Sequence, residues 1–387
     1  MFSSVPQEFQ TSAFFKFDIL ANGLCLTQTA NDRIFTNLTS SRVKRPIRAR
    51  SGASGGLDIR LNGDIFVNAP IIEFNEFSTV PVLDWVDGQF FINKPGFDRE
   101  KVEILPEPNF YSIKTCDRNV PMHKIAQMCS PDRLCYGMTG PKCTFWNTQD
   151  RCRFCSIGLN APYDETQKRE TQLLEVLSYA VVDEQYPARH ILLGGGTPDG
   201  PDMGALMAAN LCKKIKSKFN ISVYVMIAAP LEDKYIYALH DAGVDELGIN
   251  LEFWSDESWK KYIPGKMKRI GKERYLNALE CAVNLFGKVN TRSLLVAGLE
   301  SDRDTLMAVE KLACMGVMPI LSPFRPLKGT SLSEAEGFST EKYIHLYEES
   351  MKICQTYNLP LGPTCVCCQN NTLTLPFDYN YRWYGEK

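Results

Sequence analysis

The chain has 387 residues, 44% of them hydrophobic, with 43 basic against 45 acidic side chains and a formal net charge of −2. That length and apolar content suit one large α/β domain with additions, or two to three domains. The charge balance excludes a global polybasic footprint for nucleic acid or an anionic membrane surface, and no stretch approaches the roughly eighteen apolar residues of a membrane-crossing helix.

The first residues, Met-Phe-Ser-Ser-Val-Pro-Gln-Glu, lack the charged and apolar regions of a secretory leader. With 14 cysteines, the expectation is a reducing, cytoplasmic compartment. There, clustered cysteines serve metals or catalysis rather than disulfides, and the sequons at Asn37 and Asn370 carry no meaning. Residues 5–26 allow a short helix. Arg42 to Arg50 is a local basic stretch, read as a solvated loop. Residues 50–56 form a Gly-rich connector without a P-loop lysine or a following helix. Leu57–Leu61, Asp64–Val67, Phe90–Ile92 and Val102–Ile104 read as short strands, separated by Asn-Gly, Asp-Gly and Pro-Gly turn signals. Residues 1–115 are expected to form an N-terminal, mainly β accessory region.

A connector carrying Cys116, Cys129 and Cys135 leads into the densest stretch, residues 143–158. Cys143, Cys152 and Cys155 fall there, the last two as a C-x-x-C pair. An iron–sulfur cluster normally takes four protein thiolates, so three from one loop would leave one iron open to a substrate or cofactor. Two other readings stand beside this one. One is a zinc closed by a fourth ligand from Cys135, Cys129 or Cys116, and the other is three unrelated reduced cysteines.

Beyond this loop the period changes. Residues 168–186, 203–218, Glu232–Ala242, Lys272–Phe286, Ser301–Met315 and 340–357 read as helices. His190–Leu193, Ile221–Ile227, Asp245–Leu251, Val289–Val296 and Met318–Leu321 read as strands. Ser301 with Asp304 resembles a capping box, and Gly316 follows the helix end. Counting one strand just before or at Cys143, there are about six βα units. The expected fold is a partial (β/α)6 TIM-like barrel over residues 116–335, followed by a C-terminal helix and a cysteine-rich tail over 336–387. Ligands bind at the carboxyl ends of strands in such folds. The cysteine loop, Gly194–Pro198, Asn250 with Glu252, Gly298–Glu300 and Pro323–Arg325 all fall there.

At these residues the chain resembles the radical S-adenosylmethionine (SAM) superfamily, in its biotin-synthase-like branch. It is most similar to the radical SAM proteins of bacterial nitrilase-associated gene clusters. The resemblance runs from about residue 50 to 368 and includes Gly52-Ala53-Ser54-Gly55, Pro108-Asn109-Phe110-Tyr111, the cysteine loop, residues 243–252, Val296-Ala297-Gly298-Leu299 and Pro323-Phe324. It implies an oxygen-sensitive enzyme. Cys143, Cys152 and Cys155 would hold a [4Fe–4S] cluster, and SAM would chelate its open iron and be cleaved reductively to a 5′-deoxyadenosyl radical. Phe154 would pack beside the adenine. Gly194, Gly195, Gly196 and Thr197 would line the methionine amino group. Asn250 and Glu252, on one face of a strand end, would meet the ribose hydroxyls, and Arg292 the SAM carboxylate. Read without the resemblance, Phe154 is equally a loop-anchoring core aromatic, and Glu252 with Arg292 a strand-end ion pair. The spacing departs from the usual C-x3-C-x2-C, being C-x8-C-x2-C, and the third position of the family's Gly-Gly-Glu element is not acidic. The substrate implied is a small organic molecule, with hydrogen abstraction as the first step and sulfur insertion, oxidation or rearrangement as candidate outcomes. The electron donor implied is one such as flavodoxin or ferredoxin. The alternatives are a zinc-stabilised, non-catalytic α/β binding protein and a cobalamin-assisted methyltransferase, although no Asp-x-His-x-x-Gly cobalamin signature occurs.

Cys365, Cys367 and Cys368 follow Gly362-Pro363. They read as ligands of a second iron–sulfur cluster or another metal, with Cys354, Cys116 or Cys135 as further candidates, or as a redox pair or a disordered reactive tail. Cys212, Cys281 and Cys314 fit helical apolar patterns as core residues. His190 and His240 look structural, and His123 and His345 have no partner pattern. The N-terminal region is expected to close over the barrel mouth, because a radical site must exclude water.

Overall fold

The computed structural model describes residues 2–36, 56–72, 80–327 and 329–379. The N-terminal part comprises helix α1 (Gln10–Asn22), strand β1 (Cys25–Leu26), helix α2 (Gln28–Thr36) and strands β2 (Leu57–Leu61), β3 (Ile65–Ala69), β4 (Val82–Val86), β5 (Gln89–Asn93) and β6 (Glu100–Ile104). Its sheet runs β1-β4-β5-β6-β2-β3. The turn signals act as the chemistry requires. Asp87 and Gly88 both take positive φ and close the β4–β5 hairpin with two residues, while Gly63 and Asp64 do so in the three-residue turn between β2 and β3. Strand β4 went unread because only Leu83 of its five residues is buried, so it carries little alternation. The basic stretch from Arg42, the glycine-rich connector up to Gly55, and the quoted Gly52–Gly55 motif lie outside the described residues.

After helix α3 (Met122–Ile125) come β7 (Gln127–Ser130), β8 (Arg133–Gly137), α4 (Glu170–Ala180), β9 (His190–Gly194), α5 (Ala205–Lys216), β10 (Ser222–Ile227), α6 (Lys234–Asp241) and β11 (Glu246–Ile249). Two short helices, α7 (Asp256–Tyr262) and α8 (Pro264–Arg269), precede α9 (Lys272–Phe286). The series then ends with β12 (Thr291–Ala297), α10 (Asp302–Cys314), β13 (Met318–Pro323) and α11 (Thr340–Thr356). The second sheet runs β13-β12-β11-β10-β9-β8-β7. Every pair from β8 to β13 is parallel, and β7 adds an antiparallel edge. Six parallel strands, each followed by helix, make the expected partial (β/α)6 barrel, and the strand ahead of Cys143 is β8. Strands β9 and β11 are buried along their whole length, as strands covered on both faces must be. The Ser301 hydroxyl accepts the Asp304 N–H at 3.0 Å and starts α10.

The seven-stranded sheet leaves β13 and β7 as edges. The tail spans the gap between them. Gly362 N–H donates to the Pro319 carbonyl (2.8 Å) and Leu373 N–H to the Leu321 carbonyl (2.9 Å), both on β13. The Asn370 amide donates to the Cys129 carbonyl of β7 (3.0 Å). Residues 359–370 are all buried, which sets aside the disordered-tail reading. One apolar core runs from Phe15 and Phe17 of α1 through Leu193 and Leu247 to Leu373 and Leu375, so side chains from all three expected segments share it.

Candidate cofactor site at the carboxyl ends of the strands

Residues 138–169, between β8 and α4, form the loop that carries Cys143, Cys152 and Cys155. It has no period of its own, and it packs closely because of Gly158 within it and Gly196 and Gly265 on neighbouring segments. A Cβ at Gly196 would run into the Lys142 carbonyl oxygen and sit 2.6 Å from the Cys143 Cβ. One at Gly158 would overlap the Trp146 indole, and one at Gly265 would stand 2.5 Å from the Phe145 ring and 2.6 Å from the Asp150 carbonyl oxygen. Hydrogen bonds fasten the same contacts. Thr144 N–H donates to the Thr197 carbonyl (2.8 Å), Arg153 N–H to that of Tyr262 (2.8 Å) and Gly265 N–H to that of Asp150 (3.0 Å). The Thr139 hydroxyl donates to the Lys142 carbonyl (2.8 Å) and accepts from Gly196 N–H (3.1 Å). Within the C-x-x-C turn, Cys155 N–H reaches the Cys152 carbonyl at 3.3 Å. The loop is thus clamped between the Gly194–Thr197 end of β9 and the α7–α8 pair.

Burial chiefly raises the Cys155 thiol to about 11 and pushes Cys152 higher still. Cys143 and Glu252 raise both further, and Lys266 pulls both down, so these five groups share one neighbourhood. As free thiols, Cys152 and Cys155 hold their protons at neutral pH, and a bound metal would displace them. Among the described residues, the ligand atoms that close to within 4.8 Å of one another lie elsewhere. Cys143, Cys152 and Cys155 do not form such a group.

The sequence carries the β11 strand through Leu251, with Asn250 and Glu252 on one face. In the structure β11 stops at Ile249, and Glu252 adopts a left-handed φ of 67°, rare for a residue with a side chain. Glu252 is held by β12 on both sides. Its N–H donates to the Leu294 carbonyl (3.0 Å), and its carbonyl accepts from Val296 N–H (2.9 Å). The Asn250 side-chain oxygen accepts from Leu294 N–H at 3.2 Å. Glu252 Oε1 forms a buried ion pair with Lys266 Nζ at 2.7 Å, while its buried Oε2 has no hydrogen-bond partner. Burial alone would lower Lys266, but Glu252 holds its ammonium well above the ordinary lysine range. Sequence reasoning missed Lys266. The α7–α8 segment carries no motif, and only its fold brings that side chain to the cysteines.

Phe154 packs edge-on against Phe253, 5.9 Å between ring centroids, and Phe253 lies against Tyr262. Arg292 does not join this group. It is the second residue of β12, ion-paired with Glu246 and lying 4.0 Å over the Tyr224 ring. In place of a Glu252–Arg292 ion pair, Arg292 pairs with Glu246, because it sits well before the carboxyl end of β12, and Glu252 pairs with Lys266.

The tail cysteines reach a different place. Cys365 and Cys368 converge with Asp132, in the β7–β8 turn, and His190, the first residue of β9. Cys367 packs instead with Phe66 and Leu105. Cys354, Cys116 and Cys135 are not in the group. Cys212 is buried as expected, whereas Cys281 is partly exposed and Cys314 exposed.

Comparison with known proteins adds three findings. Residues 147–312 match the family model described as the radical SAM superfamily. Over 230 residues the chain is 23% identical to bacteriochlorophyllide c C-7(1)-hydroxylase of Chlorobaculum limnaeum, a match covering 54% of this chain and 56% of that protein. Among solved structures, methylornithine synthase (PylB) aligns with a TM-score of 0.45 at 13% identity over 58% of this chain and 63% of that one. The FeFe-hydrogenase maturase HydG from Carboxydothermus hydrogenoformans aligns with the same TM-score at 18% identity over 58% and 51%.

Proposed function

We propose that this chain, an enzyme of the radical SAM superfamily, holds a [4Fe–4S] cluster on Cys143, Cys152 and Cys155 and cleaves SAM to act on a small organic molecule. The observation that carries this is the convergence of three thiol groups with a buried carboxylate, open at one oxygen, at the carboxyl ends of the barrel strands. The donor set fits the group: all three ligands are sulfur, on a loop locked by Gly196, Gly158 and Gly265. The absence of acid at Gly196 follows from that packing, since any side chain there would meet Cys143.

The cluster, when bound, supplies the electron that breaks a carbon–sulfur bond of SAM and leaves a 5′-deoxyadenosyl radical. The chain's own residues do the rest. Cys143, Cys152 and Cys155 bind as thiolates. Gly194–Thr197 offer backbone at close range to the methionine moiety. Glu252 Oε2 is an acceptor suited to a ribose hydroxyl, and the ion pair with Lys266 orients that carboxylate. Asn250 braces the same turn through Leu294. Phe154 and Phe253 form an apolar wall beside the cysteines that helps exclude water. A small reductant protein, flavodoxin or ferredoxin in type, would deliver the electron. No helix among the described residues is long and apolar enough to cross a membrane. The family-model match over residues 147–312 supports a catalytic reading over the non-catalytic zinc-protein one.

The test is anaerobic. The chain reconstituted with iron and sulfide, then given SAM and a strong reductant, is expected to form 5′-deoxyadenosine, detected by mass spectrometry, and the Cys152→Ala protein to form none. Formation of methylthioadenosine instead, or iron and cleavage that survive in Cys152→Ala, would overturn the assignment.

A further inference from the structure

At the amino ends of the barrel strands, opposite the cofactor site, four side chains meet that the proposed reaction does not use. Asp132, His190, Cys365 and Cys368 are exposed by only 8%, 3%, 3% and 1%. Asp132 Oδ1 stands 3.4 Å from His190 Nε2, and Cys365 Sγ stands 3.4 Å from Asp132 Oδ2 and 3.7 Å from His190 Nε2. Cys368 Sγ stands 3.4 Å from the same nitrogen and 3.9 Å from Asp132 Oδ1. A tetrahedron with zinc–oxygen and zinc–nitrogen bonds near 2.0 Å and zinc–sulfur bonds near 2.3 Å has edges of about 3.3–3.8 Å. The separations fit one ion. They are too short for ligands that span an iron–sulfur cluster.

We infer that Asp132, His190, Cys365 and Cys368 form a closed, four-ligand zinc site that fastens the C-terminal tail to the floor of the barrel. A nucleophilic cysteine relay uses one imidazole nitrogen for the thiol and the other for the acid. Here a single nitrogen, Nε2, faces the carboxylate and both sulfurs, which is how ligands point at a shared centre. Two thiolates with an imidazole and a carboxylate suit zinc in this row of metals, and four protein ligands leave no open position for catalysis. On binding, Zn2+ takes both sulfurs as thiolates, and their protons leave to solvent. The surroundings support those anions. The Ser130 hydroxyl lies 3.0 Å from Asp132 Oδ1 and 3.5 Å from Cys368 Sγ. The buried Arg133 guanidinium adds positive charge beside them, and its Nε–H donates to Cys129 Sγ at 3.0 Å.

The topology gives the site its purpose. Asp132 and His190 belong to the β7–β9 side of the open sheet, whereas Cys365 and Cys368 arrive on the tail that is hydrogen-bonded to β13. One ion therefore joins the two free edges of the partial barrel.

The inference does not depend on the radical chemistry, and its test keeps the two apart. The full-length Cys143→Ala/Cys152→Ala/Cys155→Ala protein, lacking the proposed iron ligands, is purified under reducing conditions, given excess zinc and dialysed. About one zinc per chain is expected, with an X-ray absorption shell of two sulfur and two nitrogen or oxygen neighbours. The wild-type chain is expected to carry the same zinc beside its iron. Cobalt(II) added to the zinc-free protein should give the visible bands of tetrahedral thiolate coordination, absent in Cys365→Ser/Cys368→Ser. Zinc below about a tenth of an equivalent after dialysis, an all-sulfur shell, or a Cys365–Cys368 disulfide in the reduced preparation would overturn the inference.

Discussion

Lys266 and Glu252 are the pair on which the cofactor end turns. Glu252 is buried and the Lys266 side chain is only 12% exposed, and neither has another charged partner within ion-pair distance among the described residues. Replacing one member of such a pair leaves a buried charge uncompensated, at a cost of about 3–5 kcal/mol. Lys266→Met is expected to lose stability in that range by urea denaturation, and Glu252→Gln/Lys266→Met to recover part of it. The single variant should also weaken SAM binding, because the carboxylate loses the ammonium that orients it. Lys16 gives a second residue-scale prediction. Its ammonium is fully buried, donating to the Gln369 carbonyl (2.8 Å) and the Thr374 carbonyl (2.5 Å). Burial lowers its pKa to about 7, only partly offset by Asp378. With the folded value below the unfolded one, the contribution of Lys16 to stability is full above the unfolded value of about 10.5 and is lost as pH falls through about 7. The urea midpoint of the wild type should therefore rise, relative to Lys16→Met, between pH values of about 7 and 9.5. An unchanged difference would show that Lys16 does not titrate in this window.

Between elements, the cysteine loop depends on glycines that belong to other segments. Gly196 follows β9, and Gly265 lies in α8. Gly196→Ala places a methyl against the Lys142 carbonyl and the Cys143 side chain, both part of the loop. Overpacking of this kind costs about 1–3 kcal/mol, and here it also moves a proposed cluster ligand. The variant is expected to lose most of its iron on reconstitution while its far-ultraviolet circular dichroism stays native. Retention of full iron content would show that Cys143 can shift without loss. The α7–α8 pair acts on the other side of the loop. Its start is held by Glu300, whose carboxylate accepts from Trp254 N–H at 3.0 Å. No periodic pattern in the sequence marks this pair as more than a connection between β11 and α9.

For the whole molecule, the sequence determined the architecture of the barrel. Apolar runs of strand length, helical stripes of the right period and short Gly-marked turns are local properties, and they placed the five later barrel strands and their helices to within a few residues. The cysteine triad was legible too, because its three members share one loop. What only the tertiary structure decided was which distant residues meet. Asp132 and His190 are separated from Cys365 and Cys368 by 175 to 236 residues, so no spacing could join them, and His190 by itself read as structural. Arg292 looked like a site residue by type, yet its position along β12 sent it to Glu246. Glu252 was legible as a strand-end acid, but its left-handed turn and its Lys266 partner were not. Periodicity and spacing are written along the chain. Burial of a charge beside its partner, and convergence of ligands on one point, arise only when the parallel sheet curls and the tail crosses its open side.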